Sequence, residues 1–319
     1  MKLQTQIPLQ KVNNQIDYQS RIMLLGSCFV ENIGEKLKYY KFRSWQNPFG
    51  ILFHPKAIET LVLRSVNDKR YAEEDVFYHN ERWHCFDAHS SLSDASKEGL
   101  LQNLNNGLEV TRESLSKSTH IVLTLGTAWV YRNNRSNTVV ANCHKVPQKE
   151  FAKALLSVTE VVESLGNTME VIKSVNPNAQ FILTVSPVRH IKDGFVENQR
   201  SKAHLITAIH QIIDKNVVPG TIQGYFPSYE IMLDELRDYR FYETDMLHPN
   251  KQAIDYIWEK FKQVWILEES YQNMDQVDTI QRGLLHRPFN PNSEQHRTFL
   301  NSLQDKIKTL QNSYPFMDF

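Results

Sequence analysis

Only three cysteines occur in this chain, at positions 28, 85 and 143. Their odd number, wide separation and lack of any CxxC spacing argue against a disulfide framework and against a zinc knuckle. Charge of one sign is also missing: 36 Lys and Arg balance 36 Asp and Glu. A neutral chain has no bulk electrostatic pull towards nucleic acid or an anionic membrane, so neither is expected as a partner, although a local basic pocket stays open. No apolar run approaches the length of about 20 residues that a membrane-spanning helix needs. The segment Met1–Gln6 has no apolar core of the secretory kind, which leaves a cytoplasmic location as the expectation. Internal repeats and low-complexity tracts are absent too. What remains is a composition ordinary for a globular protein, long enough at 319 residues for one α/β domain with an appendage.

Apolar periodicity gives the organisation. Arg21–Leu25 reads as a strand running into Gly26-Ser27-Cys28-Phe29, and Phe29, Ile33 and Leu37 then recur on one helical face. Phe42–Trp45 is a short second strand, and Pro55 opens a helix to about Arg64. Val76–Tyr78 and Arg82–Phe86 flank His79-Asn80-Glu81 as a hairpin insertion. A polar helix spans about Asp94 to Ser116. His120–Leu125 is a continuous apolar run, the mark of a strand buried on both faces. Trp129–Arg132 and Thr138–Ala141 form a second hairpin, and a long helical pattern runs from Lys149 to Val175, where Asn176-Pro177 stops it. Phe181–Val185 is the next buried strand and ends in Ser186-Pro187-Val188-Arg189-His190. A helix from about Asn198 to Lys215, a weaker strand Thr221–Phe226 and a short helix Tyr229–Leu236 follow. Asn250 caps a helix carrying Ala253, Ile257, Trp258 and Phe261. Beyond Ile266 the pattern degrades until Leu300, Leu303, Ile307 and Leu310 fit one more amphipathic helix. Alternating strands and helices predict a parallel sheet covered on both faces, with Ile22–Leu25, Ile121–Leu125 and Phe181–Val185 in its interior. Ligands in such folds gather beyond the carboxyl ends of the strands, which puts Gly26–Cys28, Gly126-Thr127 and Ser186–His190 on one rim.

Two distant segments carry the chemistry. Ser27 and Cys28 stand at the start of the first helix, where free N–H groups and the helix dipole favour negative charge and lower a thiol's pKa. As ordinary residues, Ser27 would cap the helix and Cys28 would pack as a small apolar side chain. Asp245 and His248, three residues apart on one turn, can hold one another so that the second ring nitrogen faces a nucleophile. Arg189 could hold a substrate carboxylate or phosphate, or pair with a structural acid such as Asp193. His190, Asn142 and His144 can also reach the rim. His79, His84 and His89 invite a metal reading, but an odd spacing puts His79 and His84 on opposite strand faces. No metal is expected.

Gly26-Ser27-Cys28-Phe29-Val30 resembles the motif that names the GSCFA family. Thr124–Trp129, Ser186–His190 and Asp245–Pro249 resemble its later blocks in order, and together they cover most of residues 20–265. The family is grouped with the SGNH, or GDSL-like, hydrolases. The resemblance implies an α/β fold, a flavodoxin-like three-layer sandwich with a central parallel sheet, here with hairpin insertions and a C-terminal helical extension. It also implies a Ser-His-Asp type of site that needs no cofactor. Laid ungapped on the superfamily's Gly-Asp-Ser-Leu block, the serine position falls on Cys28, while Ser27 remains its rival. The oxyanion-binding asparagine of the superfamily's Gly-x-Asn block falls on Ala128. The implied oxyanion donors are then the N–H groups of Cys28 and Gly50, with Thr127 or Asn142 as substitutes. Loss of one such donor can cost roughly 3–4 kcal/mol in a serine hydrolase.

The expectation is an SGNH-like esterase, hydrolase or acyltransferase domain over residues 1–266 and a helical extension over 267–319. Its substrate would be an ester or thioester of a small-molecule or carbohydrate alcohol. Cys28 or Ser27 would be the nucleophile, His248 the base and Asp245 its orienter, with Arg189 and His190 near the substrate. The rival is a hydrolase pocket kept only to bind a ligand.

Overall fold

The computed structural model describes residues 4–215, 220 and 222–319. Thr221, read above as the first residue of a strand, and Met1-Lys2-Leu3 lie outside the described residues. Strand β1 (Arg21–Gly26) leads through a tight turn into helix α1 (Cys28–Tyr39) and returns as β2 (Arg43–Gln46). Helix α2 (Pro55–Val66) starts behind His54, whose Nδ1 accepts the Ala57 N–H, and Pro55 fits the first turn where no donor is needed. The hairpin β3 (Val76–His79) and β4 (Arg82–Cys85) then projects before α3 (Lys97–Lys117). Next come β5 (His120–Leu125) and an antiparallel insertion of β6 (Trp129–Asn133), β7 (Val139–Val140) and β8 (Phe151–Leu155). The chain continues through α4 (Val158–Val175), β9 (Gln180–Val185), α5 (Phe195–Asp214) and β10 (Ile222–Phe226). It closes with a single turn α6 (Ser228–Glu230) that widens into a π turn, and with α7 (Lys251–Trp265), α8 (Tyr271–Leu285) and α9 (Glu294–Ser313).

All neighbours in the five-stranded sheet are parallel, in the order β10-β9-β5-β1-β2. The three apolar runs predicted to be interior are the three interior strands. Because side chains alternate across a strand, each run feeds two cores. Met23, Leu25, Ile121, Leu123, Phe181 and Leu183 pack on one face under α2 to α5. Ile22, Leu24, Val122 and Ile182 pack on the other with α1, α7, α8 and α9. The result is an α/β three-layer fold with a helical C-terminal part. The N-terminal segment straps onto that second layer: Ile16 exchanges backbone hydrogen bonds with Trp265 and Leu267.

Two stretches differ from the reading above. The helical pattern from Lys149 is broken: Phe151–Leu155 is strand β8, paired along its length with β6, and α4 begins only behind the reciprocal cap of Ser157 and Glu160. Ala152, Lys153 and Ala154 favour helix locally, and cross-strand pairing overrides that preference. The degraded pattern after Ile266 contains α8, which buries only Met274, Val277 and Ile280.

Candidate functional site

The carboxyl end of β1 fixes the geometry. Gly26 has φ +140°, and a Cβ there would fall 2.0 Å from the Thr124 carbonyl oxygen, so no other residue fits between β1 and β5. Its N–H donates to Asn47 Oδ1 at 2.9 Å, and its carbonyl accepts the Leu52 N–H. Phe53 carries the same stitching to β5, its carbonyl accepting the N–H groups of both Gly126 and Thr127. These bonds hold the ends of two interior strands as a rigid rim.

Ser27 and Cys28 leave this rim in different directions. Ser27 occupies the N-cap of α1, yet its hydroxyl caps nothing: the side chain is fully buried and Oγ has no hydrogen-bond partner among the described residues. Cys28 is half-buried, off the apolar face of α1. Its thiol is raised, against the lowering expected at a helix start: burial pushes it up, with Glu31 adding to the rise, and outweighs the pull of Lys202 and of the Cys28 and Phe29 N–H groups.

Gly126 is where the other strands meet this turn. A Cβ on it would fall 3.2 Å from Ser27 Cβ and 3.1 Å from His190 Nε2. Ser27 and His190 therefore flank Gly126, and His190 Nε2 is also buried without a partner among the described residues. Asn198 fixes the backbone of His190 by accepting its N–H at 2.8 Å, and the ring meets Phe53 edge-on. Burial, with the positive charges of Lys202 and His248 nearby, drives the His190 imidazole down to about 3, so it is neutral at physiological pH.

The second segment forms its own unit. His248 Nδ1 lies 2.6 Å from Asp245 Oδ2, while Asp245 Oδ1 accepts the N–H groups of Leu247 and His248. Those bonds hold the Asp245 carboxyl at about 2, below its usual range. Nε2 of His248 has no hydrogen-bond partner among the described residues, and the side chain is half exposed. Arg189 ties this turn to the end of β9 by donating to the Met246 carbonyl at 2.9 Å, with its guanidinium packed over Tyr242. Asp193, the alternative acid for Arg189, pairs with Lys153 at 2.6 Å instead.

The remaining candidates are placed as follows. The Gly50 N–H is taken by the Asn47 carbonyl, and the residue lies under His89. Thr127 Oγ1 shares a hydrogen bond with Ser201 and accepts the Trp129 N–H. Asn142 Oδ1 accepts the His144 N–H. Thr127, Asn142 and His190 all line a cleft of about 430 Å³ whose wall is Trp129, Tyr131 and Phe151 of the β6–β8 insertion. His84 is committed to Ser93 and to the His79 carbonyl.

One residue was not singled out in the sequence. Lys202 of α5 is fully buried and donates to the Gly126 carbonyl at 2.8 Å and the Ser186 carbonyl at 2.7 Å. Its signal was available: Asn198, Lys202, Leu205 and Ile209 repeat at helical spacing, which places a charge inside the apolar stripe of α5.

Residues 21–261 match the GSCFA family, and residues 277–319 match the GSCFA domain protein C-terminal domain. The chain belongs to the GSCFA family. No curated protein is similar to it. Among the described residues, no helix is long and apolar enough to cross a membrane.

Proposed function

We propose that this member of the GSCFA family is an acyl hydrolase or acyltransferase of the SGNH type. Cys28 is the nucleophile, His248 the base and Asp245 the residue that orients it. The observation that carries the reading is the Asp245–His248 pair: one carboxylate oxygen is saturated by two backbone N–H groups and the other sits 2.6 Å from Nδ1, which leaves Nε2 for proton transfer. Cys28 is preferred to Ser27 because it is half-buried where Ser27 is fully buried.

In this reading His248 Nε2 accepts the Cys28 S–H proton as the sulfur pair bonds the acyl carbon and the carbonyl π pair moves to oxygen. Collapse breaks the acyl C–O bond, and the alcohol leaves with the proton returned by His248. Water or an acceptor alcohol, deprotonated by the same nitrogen, then takes the acyl group from sulfur. The N–H groups at the start of α1 and a His190 Nε2–H are the donors for the developing oxyanion, in place of the asparagine lost at Ala128. A neutral imidazole suits a donor that must not itself ionise. The aromatic wall of the neighbouring cleft suits the face of a sugar ring, which favours an acylated carbohydrate as substrate.

Burial of the Cys28 thiol favours the rival reading, a pocket that binds an ester-like ligand without turning it over. Labelling with iodoacetamide and a fluorophosphonate, alongside hydrolysis of 4-nitrophenyl acetate, decides between them. Wild type and Ser27→Ala are expected to alkylate at Cys28 and to turn over, and Cys28→Ala to lose turnover, with any alkylation left to the half-buried Cys143. A wild type without turnover above buffer and without labelling at either residue leaves only the binding reading.

A further inference from the structure

We propose that the cleft beside the rim takes a sugar that carries a negative charge, a carboxylate or a phosphate, and that Lys145 and Lys192 select for it. That this sugar is the acylated substrate rests on the acyl-transfer reading; that the cleft binds it does not.

The cleft holds about 430 Å³ and shares Thr127 and His190 with the rim, so a ligand in it lies beside the Gly126 turn. That volume falls within the roughly 300–1,000 Å³ usual for small-ligand pockets. Its charge is one-sided. Among the described residues, Asp193 is the single carboxylate in the lining, and the Lys153 ammonium neutralises it at 2.6 Å. Lys145 lines the cleft from the loop between β7 and β8, and Lys192 from the turn after β9. Neither ammonium has a partner among the described residues, and the Asn142 amide nitrogen has none either, since Asn142 uses only its oxygen. Two cations and an amide donor therefore line one opening that holds no free acid, which is complementary to an anion.

The backbone that carries these lysines is anchored. His144 and Lys145 are consecutive residues with φ of +48° and +61°, in the left-handed region that non-glycine residues rarely adopt. Such strain persists only where the surroundings over-determine it. Here Asn142 accepts the His144 N–H, the buried His144 ring donates from Nε2 to the Cys85 carbonyl at 2.7 Å, and the Cys143 carbonyl accepts the Val146 N–H at 2.9 Å. The Lys153–Asp193 pair in turn ties the turn of Lys192 to strand β8. A solubilising surface charge needs no such fixing. The Trp129, Tyr131 and Phe151 rings complete the lining. An uncharged sugar would leave both ammonium groups without a counter-charge, and a bare anion would leave the rings uncovered. A charged sugar satisfies both.

The test titrates the full chain with glucose 1-phosphate, glucuronate, glucose and inorganic phosphate, and follows the Trp129 indole and Lys145 amide resonances. Glucose 1-phosphate or glucuronate is expected to move both resonances with a Kd about tenfold below that of glucose, the tighter of the two identifying the anion. Lys145→Gln and Lys192→Gln, with folding checked by circular dichroism, should each weaken that sugar about threefold and leave the Kd for glucose unchanged. The proposal is overturned by the absence of binding, by equal Kd values for charged and neutral sugars, by shifts confined to residues outside the cleft, or by folded variants that bind the charged sugar as wild type does. Inorganic phosphate bound as tightly as glucose 1-phosphate would make the cleft a bare anion site and overturns it as well. If a variant does not fold, the wild-type comparison of charged with neutral sugar decides alone. Because no arm reads turnover, a failed hydrolase assignment and a failed charge selection give different results.

Discussion

Arg189 donates from its guanidinium to the carbonyl of Met246 at 2.9 Å, and so hangs the Asp245–His248 turn from the end of β9. Met246 needs this support, since its φ of +61° lies in the left-handed region that a non-glycine residue rarely adopts. The sequence leaves Arg189 either a substrate clamp or the partner of a structural acid; the structure gives it a carbonyl on a turn to hold. Arg189→Ala is expected to speed hydrogen exchange at the Met246, Leu247 and His248 amides. A displacement of the imidazole by about 1 Å would lower turnover on the order of 100-fold. Exchange rates equal to wild type would show that the turn stands without the arginine.

Asp245→Asn separates orientation from stability. With its oxygen held by the Leu247 and His248 N–H groups, the amide would turn its NH2 to Nδ1 and donate to it, which puts the ring proton on Nε2; the analogous change in a serine protease costs about 10⁴ in kcat. Turnover of 4-nitrophenyl acetate is expected to fall by two to four orders of magnitude, on the order of that example. Asp245 is solvent-exposed, so the melting temperature should stay close to wild type, and a large drop would mark the pair as structural.

Gly26→Ala tests the rim. The added carbon would meet the Thr124 carbonyl at 2.0 Å, and the positive φ is strained for alanine in any case. Backbone must move between two interior strands, so chemical denaturation should show a loss of at least about 3 kcal/mol. A loss under about 1 kcal/mol would mean that the strand ends are not rigidly stitched.

Acid should weaken the fold through its buried histidines. Burial lowers His54 and His144 to about 4 and His190 to about 3, against 6.5 when unfolded. Between those values the unfolded chain binds more protons than the native one, so stability is fully present above pH 6.5 and is lost as pH falls towards 4 and 3. His190→Gln is expected to flatten the dependence of melting temperature on pH in that window. An unchanged slope would mean that His190 is not buried as a neutral ring.

The C-terminal helices make the last test. Val277, Ile280 and Leu303 share a core with Phe29, Ile33 and Trp258. A chain ending at residue 266 should therefore melt at a lower temperature, but still in one cooperative transition, since both faces of the sheet keep their own helices. Loss of any cooperative transition would make the extension integral to the fold.

The sequence by itself determined the interior of the sheet. The unbroken apolar runs at 22–25, 121–125 and 181–185 can only be strands buried on both faces, because alternating side chains must then be apolar throughout. It also determined the rim, since each run ends in glycine or serine where a parallel sheet gathers its ligands. The Asp245–His248 bond was legible for the same reason: three residues on one turn is a local relation. Tertiary structure decided the rest. Strand β8 exists because β6 offers it a partner, and nothing in Phe151–Leu155 encodes that edge. Ser27 and His190 flank Gly126 because β1, β5 and β9 end side by side, which brings residues more than 160 positions apart to one glycine. Lys202 could be seen as a charge in an apolar stripe, but which carbonyls it would find depended on how α5 lies across the ends of two strands. Periodicity reports which face of an element is buried. Only packing decides what that face meets.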